Sequence, residues 1–319
     1  MKKIYICENP NDIKRVYGSD EKFYNREEIL NNPDAFKDTE YIFSTWGMSK
    51  FSPEEIKACL PNLKCVFYGA GSVQYFAHPF LECGVKVFSA WAANAVPVAE
   101  YTVAQIILAN KSFFHALPIS RDREAGKELV KNFVGNYGAT VGIIGAGMIG
   151  KLVIDMLKAY KLDVLVFDPF LPDEKAKELG VEKVTLEQLF KRCNVVSNHL
   201  ANNEQTKGML NEKLFSKMLP YSTFLNTGRG AQVVEADLIK VLKDRPDVVA
   251  ILDVTDPEPP LPDSEFFDLP NCYITPHIAG SNGEEVKRMG EYMLDEYERF
   301  IKGEPCKYEV TLEMLKTMA

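Results

Sequence analysis

The sequence predicts an α/β fold of two domains built on parallel sheets. Three observations carry that prediction. Short apolar runs alternate with helix-like stretches along both halves of the 319-residue chain. A glycine-rich turn, Gly145-x-Gly147-x-x-Gly150, stands mid-chain between an apolar run and an amphipathic stretch. The segment before that turn is itself of domain size, so it needs a core of its own.

In the first half, residues 3–7, 41–43, 64–68 and 85–88 are expected strands, with helices over 26–31 and 53–60 between them. Ser52-Pro53-Glu54-Glu55 opens the second of these helices. The hydroxyl accepts a free N–H, proline has none to satisfy, and the acids suit the positive end of the helix dipole. Residues 99–112 form a long apolar helix suited to burial between two domains. Residues 117–140 are polar and irregular, a long loop with a helical stretch around 123–132. His78 and His115 read as surface or helix residues.

The second half starts at residue 141 with an apolar run that ends in the glycine turn. A helix from residue 151 to 160 follows, then the run Val164-Leu165-Val166-Phe167, closed by Asp168. Strands are expected at 195–199, 222–226, 248–253 and 273–275, with helices at 186–193, capped by Thr185, and 235–243. A final helix at 284–301 repeats Val286, Met289, Met293, Tyr297 and Ile301 at helical spacing and returns to the first domain.

The strand–turn–helix–strand–acid order suits a dinucleotide, because Asp168 follows Gly145 by 23 residues. Gly145 allows the tight turn, Gly147 lets the backbone approach a pyrophosphate, and Gly150 lets helix and strand pack closely. The helix N-terminus then offers free N–H groups to the phosphates. A carboxylate at Asp168 accepts from ribose hydroxyls and repels a 2′-phosphate, and Pro169-Phe170-Leu171-Pro172 brings no arginine. This favours NAD over NADP.

Composition excludes several classes. The net charge of −8 argues against nucleic acid and anionic membranes as partners. No uninterrupted apolar run approaches the roughly 18–20 residues of a membrane span. Lys2 and Lys3 are followed too soon by Glu8, Asn9 and Pro10 for a secretion signal. The seven cysteines are scattered, with neither metal-ligand spacing nor a disulfide framework, which fits a cytoplasmic protein without a structural metal.

Open parallel sheets hold ligands at the carboxyl ends of their strands. Asn226-Thr227-Gly228-Arg229-Gly230 follows one expected strand, Asp253 ends the next, and Pro276-His277 follows the last. Arg229 can hold a carboxylate or polarise a carbonyl. His277 can exchange a proton with a hydroxyl or carbonyl oxygen, and Glu258 can hold its second ring nitrogen and fix the tautomer. With a nicotinamide at the same edge, the set suits hydride transfer between the cofactor and a carbonyl or hydroxyl carbon. His199 also ends a strand; it is expected beside the adenosine end of the cofactor rather than in acid–base work. Trp46, Tyr68 and Trp91 sit at ends of first-domain strands and are expected to shape the pocket around the substrate side chain. They favour an apolar or small 2-oxo acid over a phosphorylated one, since only Lys50 offers a nearby positive charge. The alternative is an NAD(H)-sensing or corepressor-like binding protein; three intact chemical residues argue against it.

These motifs, taken in order, resemble the D-isomer-specific 2-hydroxyacid dehydrogenase family, which includes D-lactate, glycerate and phosphoglycerate dehydrogenases. The resemblance runs from about residue 60 to 305. It rests on Gly69-Ala70-Gly71, the run from Asn94 to Glu100, the glycine turn with Asp168, His199-Leu200 with Thr206 and Gly208, the Arg229 turn, Asp253 with Glu258-Pro259, and Pro276-His277. It implies Rossmann-like or flavodoxin-like domains, with an NAD-binding domain at 97–282 inserted into a discontinuous substrate domain at 1–96 and 283–319. It also implies Arg229, Glu258 and His277 as the catalytic trio, and Ala70 and Gly71 as substrate-carboxylate binders. Met148 and Ile149 would lie at the pyrophosphate, with Leu200 and Thr206 beside His199, and Thr227, Gly228 and Asp253 flanking the nicotinamide. A homodimer through the cofactor domain, using the 117–140 loop, is a further implication. The chain departs from the usual pattern at residues 72–76, at Ala201-Asn202-Asn203 and at Ala279, so the substrate acid stays open.

Overall fold

The structure, a computed structural model, describes residues 2–316. The chain divides into two compact units, Met1–Ala95 with Ser281–Ala319, and Val96–Gly280.

In the first unit β1 (Lys2–Ile6), β2 (Phe23–Tyr24), β3 (Thr39–Ser44), β4 (Cys65–Tyr68) and β5 (Lys86–Ser89) pair in parallel. Their order across the sheet is β2-β1-β3-β4-β5, and the strand Glu309–Val310 joins antiparallel at β5. Strand order therefore reverses between β1 and β3, which opens a crevice at their carboxyl ends. Both faces of the sheet are covered, so the strands read as apolar runs rather than as alternating patterns. Ile4, Ile6, Ile42 and Val66 face one core, and Tyr5, Phe43, Phe67 and Phe88 the other. Phe67 stacks between Phe43 and Phe88, with centroids 5.2 and 5.0 Å away. The helix Val286–Lys302 closes that second face through Val286, Met289 and Met293, and stops at Gly303 in the left-handed conformation. The apolar spacing seen in the sequence thus belongs to this helix; residues 283–285 form a separate 3₁₀ turn before it.

The second unit holds β6 (Tyr137–Ile144), β7 (Lys161–Phe167), β8 (Glu182–Lys183), β9 (Val195–Asn198), β10 (Thr223–Asn226), β11 (Val249–Leu252) and β12 (Cys272–Ile274). All pair in parallel, in the order β8-β7-β6-β9-β10-β11-β12. Here the reversal falls between β6 and β9. The glycine turn, Asp168, His199, Thr227, Asp253 and Thr275 all follow carboxyl ends of strands in this sheet.

Several boundaries differ from the sequence reading. The apolar helix starts at Trp91 and runs through Pro97 to Asn110. The alanine-rich stretch before Pro97 favours helix strongly enough to tolerate one missing hydrogen bond. By length and composition it is the one helix among the described residues that could cross a membrane, but half of it is buried, and Ala99, Ile106 and Ala109 lie in the core. Glu100 and Gln105 interrupt its apolar run. β6 begins before residue 141, because Tyr137 pairs with Lys161 ahead of a register shift. Tyr137 is 79% exposed, so hydrophobic patterning could not reveal that end of the strand. His115 is buried rather than on the surface, with Nε2 3.0 Å from the Asp247 carbonyl and its ring edge-on to Phe133. All seven cysteines are free thiols.

Candidate active site

The loop after β12 is wrapped around one buried carboxylate. Asp253 is 1% exposed and directly follows β11. Its Oδ1 accepts from the Ile278 N–H at 2.8 Å and the Thr275 hydroxyl at 2.6 Å, and its Oδ2 accepts from the Ala279 N–H at 2.9 Å. The Thr275 hydroxyl also pairs with the Tyr101 hydroxyl at 3.0 Å. Hydrogen bonds to a charged acceptor contribute about 1.5–3 kcal/mol each, enough to impose a loop shape. The shape imposed is unusual: His277 sits at φ 53°, a left-handed conformation that few residues other than glycine adopt. Its N–H donates to the carbonyls of Asp253 and Thr275. The imidazole is left exposed, with Nδ1 2.5 Å from Glu258 Oε1.

Arg229 is placed by a second device, a cluster of buried amides. Asn198, Asn226 and Gln232 are each 0% exposed. Asn198 Nδ2 donates to Asn226 Oδ1 at 2.9 Å and to Gln232 Oε1 at 2.5 Å. Gln232 Oε1 also accepts from the Arg229 N–H, and Asn226 Oδ1 from the Gly228 N–H. Gln232 Nε2 reaches back to the carbonyls of Leu200 and Ala201. Buried amides of this kind must be satisfied to be tolerated, and here each joins two strand-end loops. A Cβ on Gly230 would lie 1.9 Å from Thr255 C, so the arginine turn packs directly on the loop that carries Glu258. The half-buried guanidinium donates to the Gly228 carbonyl at 2.7 Å and has no carboxylate ion pair among the described residues. Burial pushes it below the ordinary arginine value, against the pull of the Glu258 carboxylate. An unpaired cation in such a place is costly, and an anionic ligand relieves the cost.

Further along the same edge, after β6, lies the glycine turn. Gly145 adopts φ 89°, and a Cβ on Gly150 would lie 2.1 Å from the Gly145 carbonyl oxygen. The helix Met148–Leu157 therefore starts tight against the strand. Its N-cap, Gly147, brings no side chain to cap the free N–H groups, and a Cβ there would meet nothing within 4 Å. Asp168 fastens the turn: Oδ2 accepts from the Ala146 N–H and Oδ1 from the Phe170 N–H, both at 2.8 Å. Each oxygen keeps a lone pair for another donor.

This architecture has relatives. Residues 105–279 match the family model described as "D-isomer specific 2-hydroxyacid dehydrogenase, NAD binding domain". The chain belongs to the D-isomer specific 2-hydroxyacid dehydrogenases. It is 31% identical over 91% of its length to a D-3-phosphoglycerate dehydrogenase of Archaeoglobus fulgidus, covering 54% of that protein. It is 35% identical over 56% of its length to a glyoxylate reductase of Korarchaeum cryptofilum, covering 54% of that protein. This member of the family thus spans about half the length of the curated relatives it matches. Among solved structures, apo D-lactate dehydrogenase of Escherichia coli superposes at TM-score 0.70 with 26% identity, covering 97% of this chain and 100% of that one. D-2-hydroxyisocaproate dehydrogenase shares the fold at TM-score 0.75 and 23% identity, with 98% and 100% covered.

The second unit of this family member suits the NAD named in the family description. The uncapped helix start over open space fits a pyrophosphate, and the free lone pairs of Asp168 fit ribose hydroxyls. Met148 is 41% exposed and Ile149 half-buried on the first turn. His199 turns inward: Nε2 pairs with Ser197 Oγ at 2.9 Å and Nδ1 with Thr227 Oγ1 at 3.4 Å. Burial pushes this imidazole down to about 3, so it stays neutral and is no proton carrier near neutrality. Thr227 pairs in turn with Thr102. Thr206 bonds the carbonyls of Ala201 and Asn203, shaping the turn after Leu200.

In the first unit Ala70 and Gly71 follow β4. The Ser89 hydroxyl donates to both of their carbonyls, at 2.9 and 2.6 Å. Neither of their N–H groups has a partner among the described residues. Trp46 and Tyr68 line one cavity, while Trp91 lies away from it, edge-on to Tyr308 with centroids 6.0 Å apart. Sequence reasoning missed Asn198, Gln232, Tyr101 and Thr275. Gln232 did leave a trace, as a lone amide in the run Ala231-Gln232-Val233-Val234.

Proposed function

We propose that the chain is an NAD-dependent dehydrogenase that interconverts a 2-oxo acid and its D-2-hydroxy acid. The observation that carries the reading is the His277–Glu258 pair at 2.5 Å, with Arg229 under the pull of the same carboxylate and without an ion pair of its own among the described residues. Bound NADH supplies the hydride that reduces the carbonyl carbon. Arg229 holds the acid and polarises its carbonyl through the planar donor fork. Glu258 occupies Nδ1 of His277, so Nε2 is the atom that gives its proton to the carbonyl oxygen; in the reverse direction Nε2 removes the hydroxyl proton. Ala70 and Gly71 offer N–H groups of the kind a carboxylate accepts from. Asp253 is a positioning residue for the His277 loop, and Asn198, Asn226 and Gln232 position Arg229. NAD is the preferred cofactor, because the Asp168 carboxylate would repel a 2′-phosphate.

The test is a set of oxidation assays with NADH and, separately, NADPH against glyoxylate, pyruvate, hydroxypyruvate, branched and aromatic 2-oxo acids. Turnover with NADH well above NADPH is expected. A preference for NADPH removes the role given to Asp168. NADH binding without turnover of any acid puts an NAD(H)-sensing protein in place of the enzyme.

We also propose that the chain pairs with a second copy through its cofactor unit. Phe113, Leu117, Val130, Val134 and Tyr137 come from one stretch of that unit and are 42%, 43%, 61%, 54% and 79% exposed. So much exposed apolar surface from one segment marks an interface. Light scattering should give twice the mass of one chain; the mass of a single chain rejects the pairing.

A further inference from the structure

We propose that Tyr101 is a positioning residue for the proton carrier, fixing the loop of His277 through Thr275 and Asp253. The proposal rests on the 2-oxo acid reaction put forward above.

The loop after β12 needs an anchor outside itself. His277 holds φ 53°, and a residue other than glycine stays there only where its surroundings over-determine it. Its N–H donates to the carbonyls of Asp253 and Thr275 at 3.0 and 2.9 Å. The Asp253 carboxylate accepts from Thr275, Ile278 and Ala279, all of them in this same loop. Loop and carboxylate thus hold each other. Tyr101 enters from a different element, the helix Trp91–Asn110, and its hydroxyl lies 3.0 Å from Thr275 Oγ1.

Proton counting gives that bond its direction. A threonine hydroxyl has one proton to give. Thr275 gives it to Asp253 at 2.6 Å, so towards Tyr101 it can only accept. Tyr101 is the donor. Burial pushes its phenol above the ordinary value, and the Asp253 carboxylate adds to this against the pull of Thr275, so the proton stays in place near neutrality. A hydroxyl that accepts from one neighbour donates more strongly to the next. The Tyr101 proton therefore tightens the bond from Thr275 to Asp253, and with it the loop.

The helix is firmly seated at this edge. Ala99 and Ile106 lie in the same core cluster as Val141 and Leu225. Thr102, next to Tyr101, is 0% exposed and pairs with Thr227 at 3.2 Å. Thr227 belongs to the turn that carries Arg229. Two adjacent side chains of one helix thus meet the two loops that carry Arg229 and His277, and hold those loops in register.

The experiment compares the parent protein with Tyr101→Phe, Thr275→Val, Thr275→Ser and the double variant Tyr101→Phe/Thr275→Val. Three quantities are read. They are the single-turnover rate of NADH oxidation by the panel acid that the parent reduces fastest, the Kd of NADH from its fluorescence, and amide exchange at Ile278 and Ala279. Tyr101→Phe keeps the ring and its packing. It should slow the single turnover about three- to tenfold, the scale of one hydrogen bond, and speed exchange at both amides. The Kd of NADH should stay within about twofold of the parent, since the glycine turn is untouched. Thr275→Val should be slower still, and Thr275→Ser, which keeps the hydroxyl, should recover most of the rate. The double variant should be no slower than Thr275→Val alone, because Tyr101 acts only through Thr275. A Tyr101→Phe variant with unchanged rate and exchange overturns the proposal and leaves the reaction standing. So does a double variant in which the two losses multiply, or a Tyr101→Phe variant that melts lower but reacts at the parent rate. Absence of turnover of every 2-oxo acid by the parent, with NADH bound, overturns the reaction and this proposal together.

Discussion

Replacing His277 by asparagine should lower kcat for 2-oxo acid reduction by about 10²–10⁴-fold, the usual worth of a positioned proton carrier. NADH affinity, read from quenching or transfer of its own fluorescence, should barely change, because His277 is not part of the glycine turn or the Asp168 contacts. Asparagine is the informative substitution for a structural reason. Residue 277 sits at φ 53°, where asparagine is tolerated far better than alanine. An alanine variant would mix loss of the proton carrier with distortion of the loop held by Asp253. Glu258→Gln should cost less, because the amide can still contact Nδ1 while losing its charge. Steady-state rates of the asparagine variant within a few-fold of the parent, at about the tenfold scale of one hydrogen bond or less, would exclude His277 as the acid.

Arg229→Ala should lower kcat/KM by about 10²–10³-fold, equivalent to about 3–4 kcal/mol of lost binding to the acid in the transition state. Arg229→Lys should recover little, since a point charge lacks the planar fork. The two possible roles of Arg229 separate in a thermal melt. The guanidinium is half-buried and has no ion-pair partner among the described residues, so its removal relieves a cost in the free protein. The alanine variant should therefore melt no lower than the parent. A lower Tm with unchanged kcat/KM would make Arg229 a structural residue of the turn.

Much of this was legible in the sequence, and the reasons differ by element. The α/β class followed from parallel strands covered on both faces, whose apolar runs cannot be mistaken for alternating edge strands. The glycine turn was legible because its constraint is steric: a Cβ at Gly150 has nowhere to go, so residue type reports geometry directly. What stayed hidden was tertiary. Asn198 and Gln232 are 34 residues apart, and nothing local says that their amides meet at 2.5 Å. The helix Pro10–Tyr17 was not singled out, although Asn9 caps it, Gly18 ends it and Ile13, Val16 and Tyr17 share one face, because so short a segment carries little pattern. His115 does lie in a helix, but its buried side was not legible, because four helical residues, Phe113–Ala116, carry too little pattern to tell an inward from an outward face. Trp91 was grouped with Trp46 from its position after a strand, whereas its neighbour is set by the C-terminal segment that carries Tyr308.

The parallel sheet of the second unit has a consequence for how activity is acquired. Gly145 and His277 stand far apart in the sequence of that unit, and the residues between them reach the same edge only through successive crossovers. No single crossover holds the glycine turn together with Arg229 and His277. Nascent or partly denatured chains are then expected to be inert until the last non-local pairings form, and such pairings are slow. Conversely, a dinucleotide that binds only the completed edge draws the population towards it, by RT ln(1 + [L]/Kd). Metabolite supply would in this way act as a folding partner, setting the lifetime of the protein as well as its turnover.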